Sequence, residues 1–305
     1  MNQIKKWYTY QKERFPVLVY GLYVFCIVFA TFCYSYYSYN ASILTPPIPT
    51  SLYLESTGIQ YIKLIPMFLV AFLQFLMVRI LDEFKDYEED CKYRPYRPVP
   101  RGLVKLSELK VLLIICAVLQ VMITIFFSNS IYNILSFICL MVVWAYILLM
   151  NKDFFMKKFL DKHLLINVAL DEMVLPLLII YLSTFICPTG SWLAVMAYII
   201  SWIVEVARKI RCKEDEEEGV KTYTAILGIG KATLLIFVLE TLLMVVQGII
   251  LGQKNYIWIV ALYILANIPN ILFAKKKTRK MAKLAEFSAN IYIAIVYCSL
   301  VILIL

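Results

Sequence analysis

Residues 79–102 read RILDEFKDYEEDCKYRPYRPVPRG, and the rest of the chain is arranged around them. The stretch opens at the end of an apolar run and places six acids between Asp82 and Asp90. Arg94, Arg97 and Arg101 follow, interrupted by Pro95, Pro98 and Pro100 and closed by Gly102. Asp82, Asp86 and Asp90 are spaced four apart. On a helix each is turned roughly 40° from the last and rises about 6 Å. Three carboxylates then share one face, spaced to hold hard divalent cations. Such a row repels itself unless a cation sits on it. A solvated charge run is the commoner meaning of an acidic string, but this one has an apolar span before it and a rigid basic loop after it.

The surrounding chain is 62% hydrophobic and 17% charged, well outside the range of a soluble domain. It reads as an integral membrane protein, and its net charge of +9 is a topology signal before it is a nucleic-acid signal. The eight cysteines show no CxxC and no ligand-like spacing, so no disulfide framework is expected. The single histidine, His163, excludes a histidine-rich metal site. No cleavable signal is expected, because the first apolar run is too long and lacks a small-residue cleavage site.

A bilayer core of roughly 30 Å takes about 20 apolar residues in a helix. The segments that qualify are Val17–Tyr37, Tyr61–Leu81, Leu109–Phe127, Ile131–Met150, Leu164–Ile186, Trp192–Ala207, Ala232–Leu251, Tyr256–Phe273 and Phe287–Leu305. Of the 30 Lys and Arg residues, 28 fall on one face if all these segments cross; only Lys63 and Lys254 lie opposite. That bias puts the N-terminus and both acidic clusters in the cytoplasm. Connections on the far side are short, except for the Pro- and Ser/Thr-containing loop Asn40–Gln60. Pro176 and Pro269 are expected to bend their helices.

A second acidic cluster follows the sixth span: EVARKIRCKEDEEEGVKTYTAILG, residues 205–228, with five consecutive acids from Glu214 to Glu218. One acidic run is weak evidence. Two at matching cytoplasmic helix ends suggest a site between them, where opposed carboxylates hold Mg²⁺ and the ions hold a diphosphate.

The chain resembles the UbiA superfamily of intramembrane prenyltransferases over essentially all nine spans. DEFKDYEED is similar to the family's NxxxDxxxD, with Asp82 in place of the asparagine, and RPYRPVPRG to its RPxRPxPxG continuation. The second motif departs. Aligning GVKT at 219–222 puts Asp215 at the last aspartate of the family's DxxxD and Arg211 at the first. Either Glu214 or Glu218 supplies the missing ligand, or Arg211 contacts the diphosphate directly.

The resemblance implies one domain over 1–305, an all-α bundle of nine transmembrane helices around a central cavity with cytoplasmic acidic motifs. It implies transfer of a prenyl group from a prenyl diphosphate to a hydrophobic acceptor inside the bilayer, with two Mg²⁺ ions and no nucleic-acid partner. The metal ligands it implies are Asp82, Asp86, Asp90 and Asp215, with Glu214 or Glu218. Arg79, Arg97, Lys152, Lys209 and Arg211 are the candidates for the diphosphate oxygens, since guanidinium suits bidentate phosphate contact. Tyr146 is a candidate for shielding an allylic cation through its ring face.

Ionisable groups within a span are functional candidates by default. Asn167 and Asp171 share a face of the fifth span, with Glu172 beside them, and could orient the acceptor or take its proton. A structural polar cluster is the competing reading, and Glu240 in the seventh span is taken as structural. The alternative function is a cation-coupled secondary transporter. Transporter sites lie at the midplane in broken helices, whereas 11 of the 21 acids here lie in the two end clusters. An enzyme using a CDP-linked donor would show DGxxAR, which does not occur.

Overall fold

The computed structural model describes residues 3–43, 61–188, 191–216 and 222–303. Most of the Asn40–Gln60 loop, together with Glu217, Glu218, Gly219 and Lys221, lies outside the described residues. In chain order the helices are α1 Gln3–Arg14, α2 Val17–Ile43, α3 Leu64–Lys85, α4 Tyr87–Tyr93, α5 Leu106–Phe127, α6 Asn133–Asn151 and α7 Leu164–Asp171. They continue as α8 Val174–Ser183, α9 Ser191–Arg208, α10 Tyr223–Leu227, α11 Ile229–Leu251, α12 Tyr256–Lys276 and α13 Arg279–Ser299. The all-helical expectation holds, and no strand occurs among the described residues.

Among the described residues, eight helical stretches are long and apolar enough by length and composition to cross a membrane. The sixth expected span is present as α9 but is not one of those eight; its last turn carries Glu205 and Arg208. Many large apolar side chains on these helices are exposed, Leu18, Phe126, Ile134 and Ile257 among them. Outward apolar surface is what hydrocarbon solvates and water does not.

The chain divides into two compact units. The first holds residues 1–167 and 177–189. In it α3 packs against α2 and α5, and α6 against both α5 and α3. Phe15, at the junction of α1 and α2, stacks on Tyr20 with ring centres 4.3 Å apart and meets Phe72 of α3 edge-on. The second unit holds residues 168–176 and 190–305. There α11 packs against α9 and α12, and α13 against α12 and α9.

The fifth expected span is not continuous. It breaks at Glu172 and Met173, between α7 and α8. Pro176 explains the place: it has no N–H, so it is tolerated only in the first turn of a new helix and cannot donate to the carbonyl of Glu172. The hydroxyl of Ser201 reaches that carbonyl at 3.3 Å, sharing its proton with the carbonyl of Tyr198 at 2.9 Å. The hydroxyl of Tyr198 donates to the carbonyl of Ala169 at 2.9 Å. Two side chains of α9 thus replace helix bonds that the break removes.

Candidate active site

The first motif begins inside α3 and ends beyond it. Asp82 lies in the last turn of α3, Asp86 caps the helix with φ −92° and ψ 4°, and Asp90 sits in α4. The helix therefore breaks at Asp86, where the sequence reading has one continuous face. N–H groups of Asp86, Asp90 and Arg94 donate to carbonyls of Asp82, Asp86 and Asp90 at 2.9, 2.8 and 2.9 Å, while those of Tyr87, Glu88 and Glu89 make no bond back to α3 among the described residues. Each aspartate is thus tied to the next by one backbone bond.

The three aspartates have unlike surroundings. Asp82 is partly exposed and meets one Nη of Arg79 at 3.4 Å, while the other Nη lies 3.4 Å from Glu83. Asp86 makes no ion pair among the described residues. Burial, and then the charge of Asp90, raises its carboxyl above the ordinary carboxylate value. Asp90 is buried at 3% exposure inside a cage of arginines. Arg97 reaches both its oxygens, at 2.6 and 2.5 Å, with Arg94 at 3.6 Å and Arg14 at 3.9 Å. Arg97, expected at a diphosphate, is thus held by a motif carboxylate, and Arg79 orients the carboxylates beside it.

The loop after the motif is fixed by its own bonds and by α1. Arg97, Arg101 and Gly102 donate backbone bonds to Arg94, Arg97 and Val99, and Leu103 donates to Pro98. Gly102 has φ +75°, the left-handed conformation that glycine adopts without a Cβ penalty. Val99 and Val104 pack with Tyr10, Ile80 and Leu109 in one buried cluster, with Trp7 against it. Burying each such side chain contributes roughly 1.5–3 kcal/mol. Lys6 pairs with Glu108 and Arg101 with Glu13, at 2.5 and 2.9 Å.

The end of α6 is stitched to the same place. The amide of Asn151 donates to the carbonyl of Leu81 at 2.9 Å, and Asp153 pairs with Lys85 at 2.6 Å. Asp153, Phe154 and Phe155 all have positive φ, between 50° and 58°. Three such non-glycine residues in a row are costly and need surroundings that hold them. Tyr146 meets Phe154 edge-on at 5.4 Å. Lys152 is exposed at the end of α6 and makes no ion pair among the described residues.

In the second unit, Asp215 pairs with Arg279 at 3.2 Å and accepts from the thiol of Cys212 at 3.3 Å. Glu214 is exposed, and Glu218 lies outside the described residues. Arg211 donates its guanidinium to the backbone carbonyl of Asp215 at 3.2 Å, and its backbone N–H to Thr224. Lys209 pairs with Glu205, as does Arg208. Glu216, not singled out by the sequence, accepts from Thr222 at 2.7 and 2.6 Å and from Thr224 at 2.8 Å. The T-x-T spacing after the acidic run was the available signal. Asn167 and Asp171 are both partly buried on α7, with Asp171 its last residue. The phenol of Tyr223 is buried without a hydrogen-bond partner among the described residues, and burial followed by Glu205 and Glu172 raises it above its ordinary value. His163 is exposed and stacks on Phe159 at 4.3 Å.

Among the described residues no three of His, Cys, Asp or Glu gather closely enough to hold a metal as they stand. The first motif still suits one chemically. Its donors are hard oxygens at helical spacing, and Asp86 bears the charge of Asp90 with no ion pair among the described residues. Mg²⁺ binds such carboxylates while keeping several waters.

A model of the UbiA prenyltransferase family matches residues 44–294. No curated protein matches the sequence significantly. Two solved structures are similar to this one in fold. A digeranylgeranylglyceryl phosphate synthase of membranes is 18% identical, with TM-score 0.59 over 97% of this chain and 98% of that one. The apo structure of a UbiA homolog from Aeropyrum pernix K1 is 14% identical, with TM-score 0.57 over 93% of this chain and 97% of that one.

Proposed function

The chain belongs to the UbiA prenyltransferase family, and from that premise we propose that it moves a prenyl group from a prenyl diphosphate to a hydrophobic acceptor, in a Mg²⁺-dependent reaction. The observation that carries this reading is the first motif. Three aspartates are joined by backbone bonds at four-residue spacing across a helix break, flanked by arginines and backed by a loop fixed at Gly102 and buried at Val99 and Val104. Family membership and the apolar helices make the chain an integral, multi-pass membrane protein.

Asp82, Asp86 and Asp90 would hold Mg²⁺, with Asp215 and either Glu214 or Glu218 as the carboxylates for a second ion. Bound there, Mg²⁺ neutralises charge developing on the leaving diphosphate. Arg79, Arg97, Lys152, Lys209 and Arg211 supply donors to the remaining oxygens. For Arg97 this requires exchanging part of its contact with Asp90 for phosphate. As the bond between the allylic carbon and the diphosphate oxygen breaks, the carbon becomes cationic. Helices that exclude water protect it until the acceptor attacks, and the ring of Tyr146 offers a stabilising face. The acceptor's nucleophilic atom forms the new carbon bond and releases its proton, for which Asp171 is the base and Asn167 the orienting group. Tyr198 and Ser201 fix the backbone on either side of Asp171, at Ala169 and Glu172, by capping the helix break.

Purified protein incubated with prenyl diphosphates of several lengths and a panel of aromatic, glyceryl phosphate and sugar phosphate acceptors, with mass analysis, tests the reading. Prenylated product that disappears with EDTA and returns with Mg²⁺ is expected. Absence of product and of Mg²⁺-dependent donor binding across the panel would refute it.

A further inference from the structure

Arg14 is the last residue of α1, which lies outside the stretch matched by the family model. Its side chain is only 9% exposed. Nε donates to Glu83 at 2.5 Å, and Nη2 points toward Asp90 at 3.9 Å. That Nη2 is buried and has no hydrogen-bond partner among the described residues. Glu83 precedes the break at Asp86 and Asp90 follows it. One guanidinium from a separate helix therefore faces carboxylates on both sides of the corner.

We propose that Arg14 is a positioning residue for the first motif, clamping α3 and α4 across the break so that Asp82, Asp86 and Asp90 keep the mutual orientation in which they hold Mg²⁺ and diphosphate. This rests on the metal-dependent prenyltransferase reading. The role needs the planar fork of arginine. A lysine offers one compact charge and satisfies Glu83 or Asp90, not both. Docking of α1 does not depend on Arg14 alone, because Tyr10, Lys6 and Glu13 also tie it down. Positioning and docking can therefore be separated by mutation.

The test uses full-length protein in lipid nanodiscs and measures binding of a non-reactive thiolo analogue of a prenyl diphosphate as Mg²⁺ is titrated. Thermal stability is followed alongside. Arg14→Lys is expected to melt within about 2 °C of wild type, the size of a small change for a protein this large. Its half-saturating Mg²⁺ concentration should rise about tenfold, the usual effect of losing a group that orients metal ligands. Glu83→Gln, which removes the other end of the clamp and leaves α1 unaltered, should raise it similarly. Lys6→Ala removes a docking contact remote from the motif, and should lower the melting temperature while leaving the Mg²⁺ dependence unchanged. If Arg14→Lys leaves that dependence unchanged, or Lys6→Ala raises it equally, Arg14 only docks α1 and the inference is overturned. If wild-type protein binds no analogue at any Mg²⁺ concentration, the prenyltransferase reading falls and this inference with it.

Discussion

Asp86 and Asp90 are neighbours in the motif and opposites electrostatically. Asp90 is buried among Arg97, Arg94 and Arg14. Removing one partner of a buried ion pair leaves the other uncompensated, so Asp90→Asn should destabilise the protein by roughly 3–5 kcal/mol. Asp86 is burdened by burial and by the charge of Asp90. Its carboxyl is raised in the fold, so its ionised form opposes folding above that raised value, and the opposition fades as pH falls through it. Asp86→Asn should therefore raise the melting temperature in Mg²⁺-free buffer at neutral pH, and flatten its response to mild acid. Both variants should lose turnover. Scanning calorimetry with and without EDTA separates them; equal shifts would contradict the two environments. The spacing of the three aspartates was legible in the sequence, but this difference was not. It depends on Arg14, 69 residues from Glu83, and on a loop whose turn directs Arg97 back at Asp90.

At the scale of elements, the break between α7 and α8 makes a prediction of its own. Ser201 supplies part of the bond that Pro176 cannot give to the carbonyl of Glu172, sharing its proton with the carbonyl of Tyr198. Ser201→Ala strands that carbonyl and should cost about 1–3 kcal/mol. In a Pro176→Ala background an N–H is restored, and the same Ser201→Ala change should cost less. Thermal melts of the four proteins in this cycle measure the difference, and strict additivity would show that the hydroxyl is not substituting for the proline. The sequence marked Pro176 as a bend within one span from Leu164 to Ile186. It could not place the break, because a span with a proline in it is viable only where a neighbouring helix caps the freed carbonyls. Here the cap comes from Tyr198 and Ser201 on α9. Helix α3 shows the same limit: its apolar run was plain, while its extension through Asp82 to Lys85 depends on ties from Asn151 and Asp153.

For the whole molecule, apolar run lengths and the placement of basic residues carried most of the reading, since a bilayer imposes both directly. Cys91 is exposed beside Asp90, whereas Cys298, also exposed, lies on the apolar helix α13. A membrane-impermeant maleimide should label Cys91 from the cytoplasmic side alone and leave Cys298 unlabelled. Cys91→Ser should abolish the signal; labelling from the opposite face would reverse the assigned orientation. The strap formed by α1 also has a consequence in time. Lys6 and Glu108, which it joins, are 102 residues apart in the chain. A ribosome adding 5–20 residues per second needs on the order of five to twenty seconds to bridge that distance. Until Ile80, Glu83 and Asp90 have been made, Tyr10 and Arg14 stand uncovered, and Lys6 waits longer still, for Glu108. The first motif is therefore assembled late from early parts. A nascent chain stalled before residue 108 would present α1 to whatever in the cytosol shields half-made proteins.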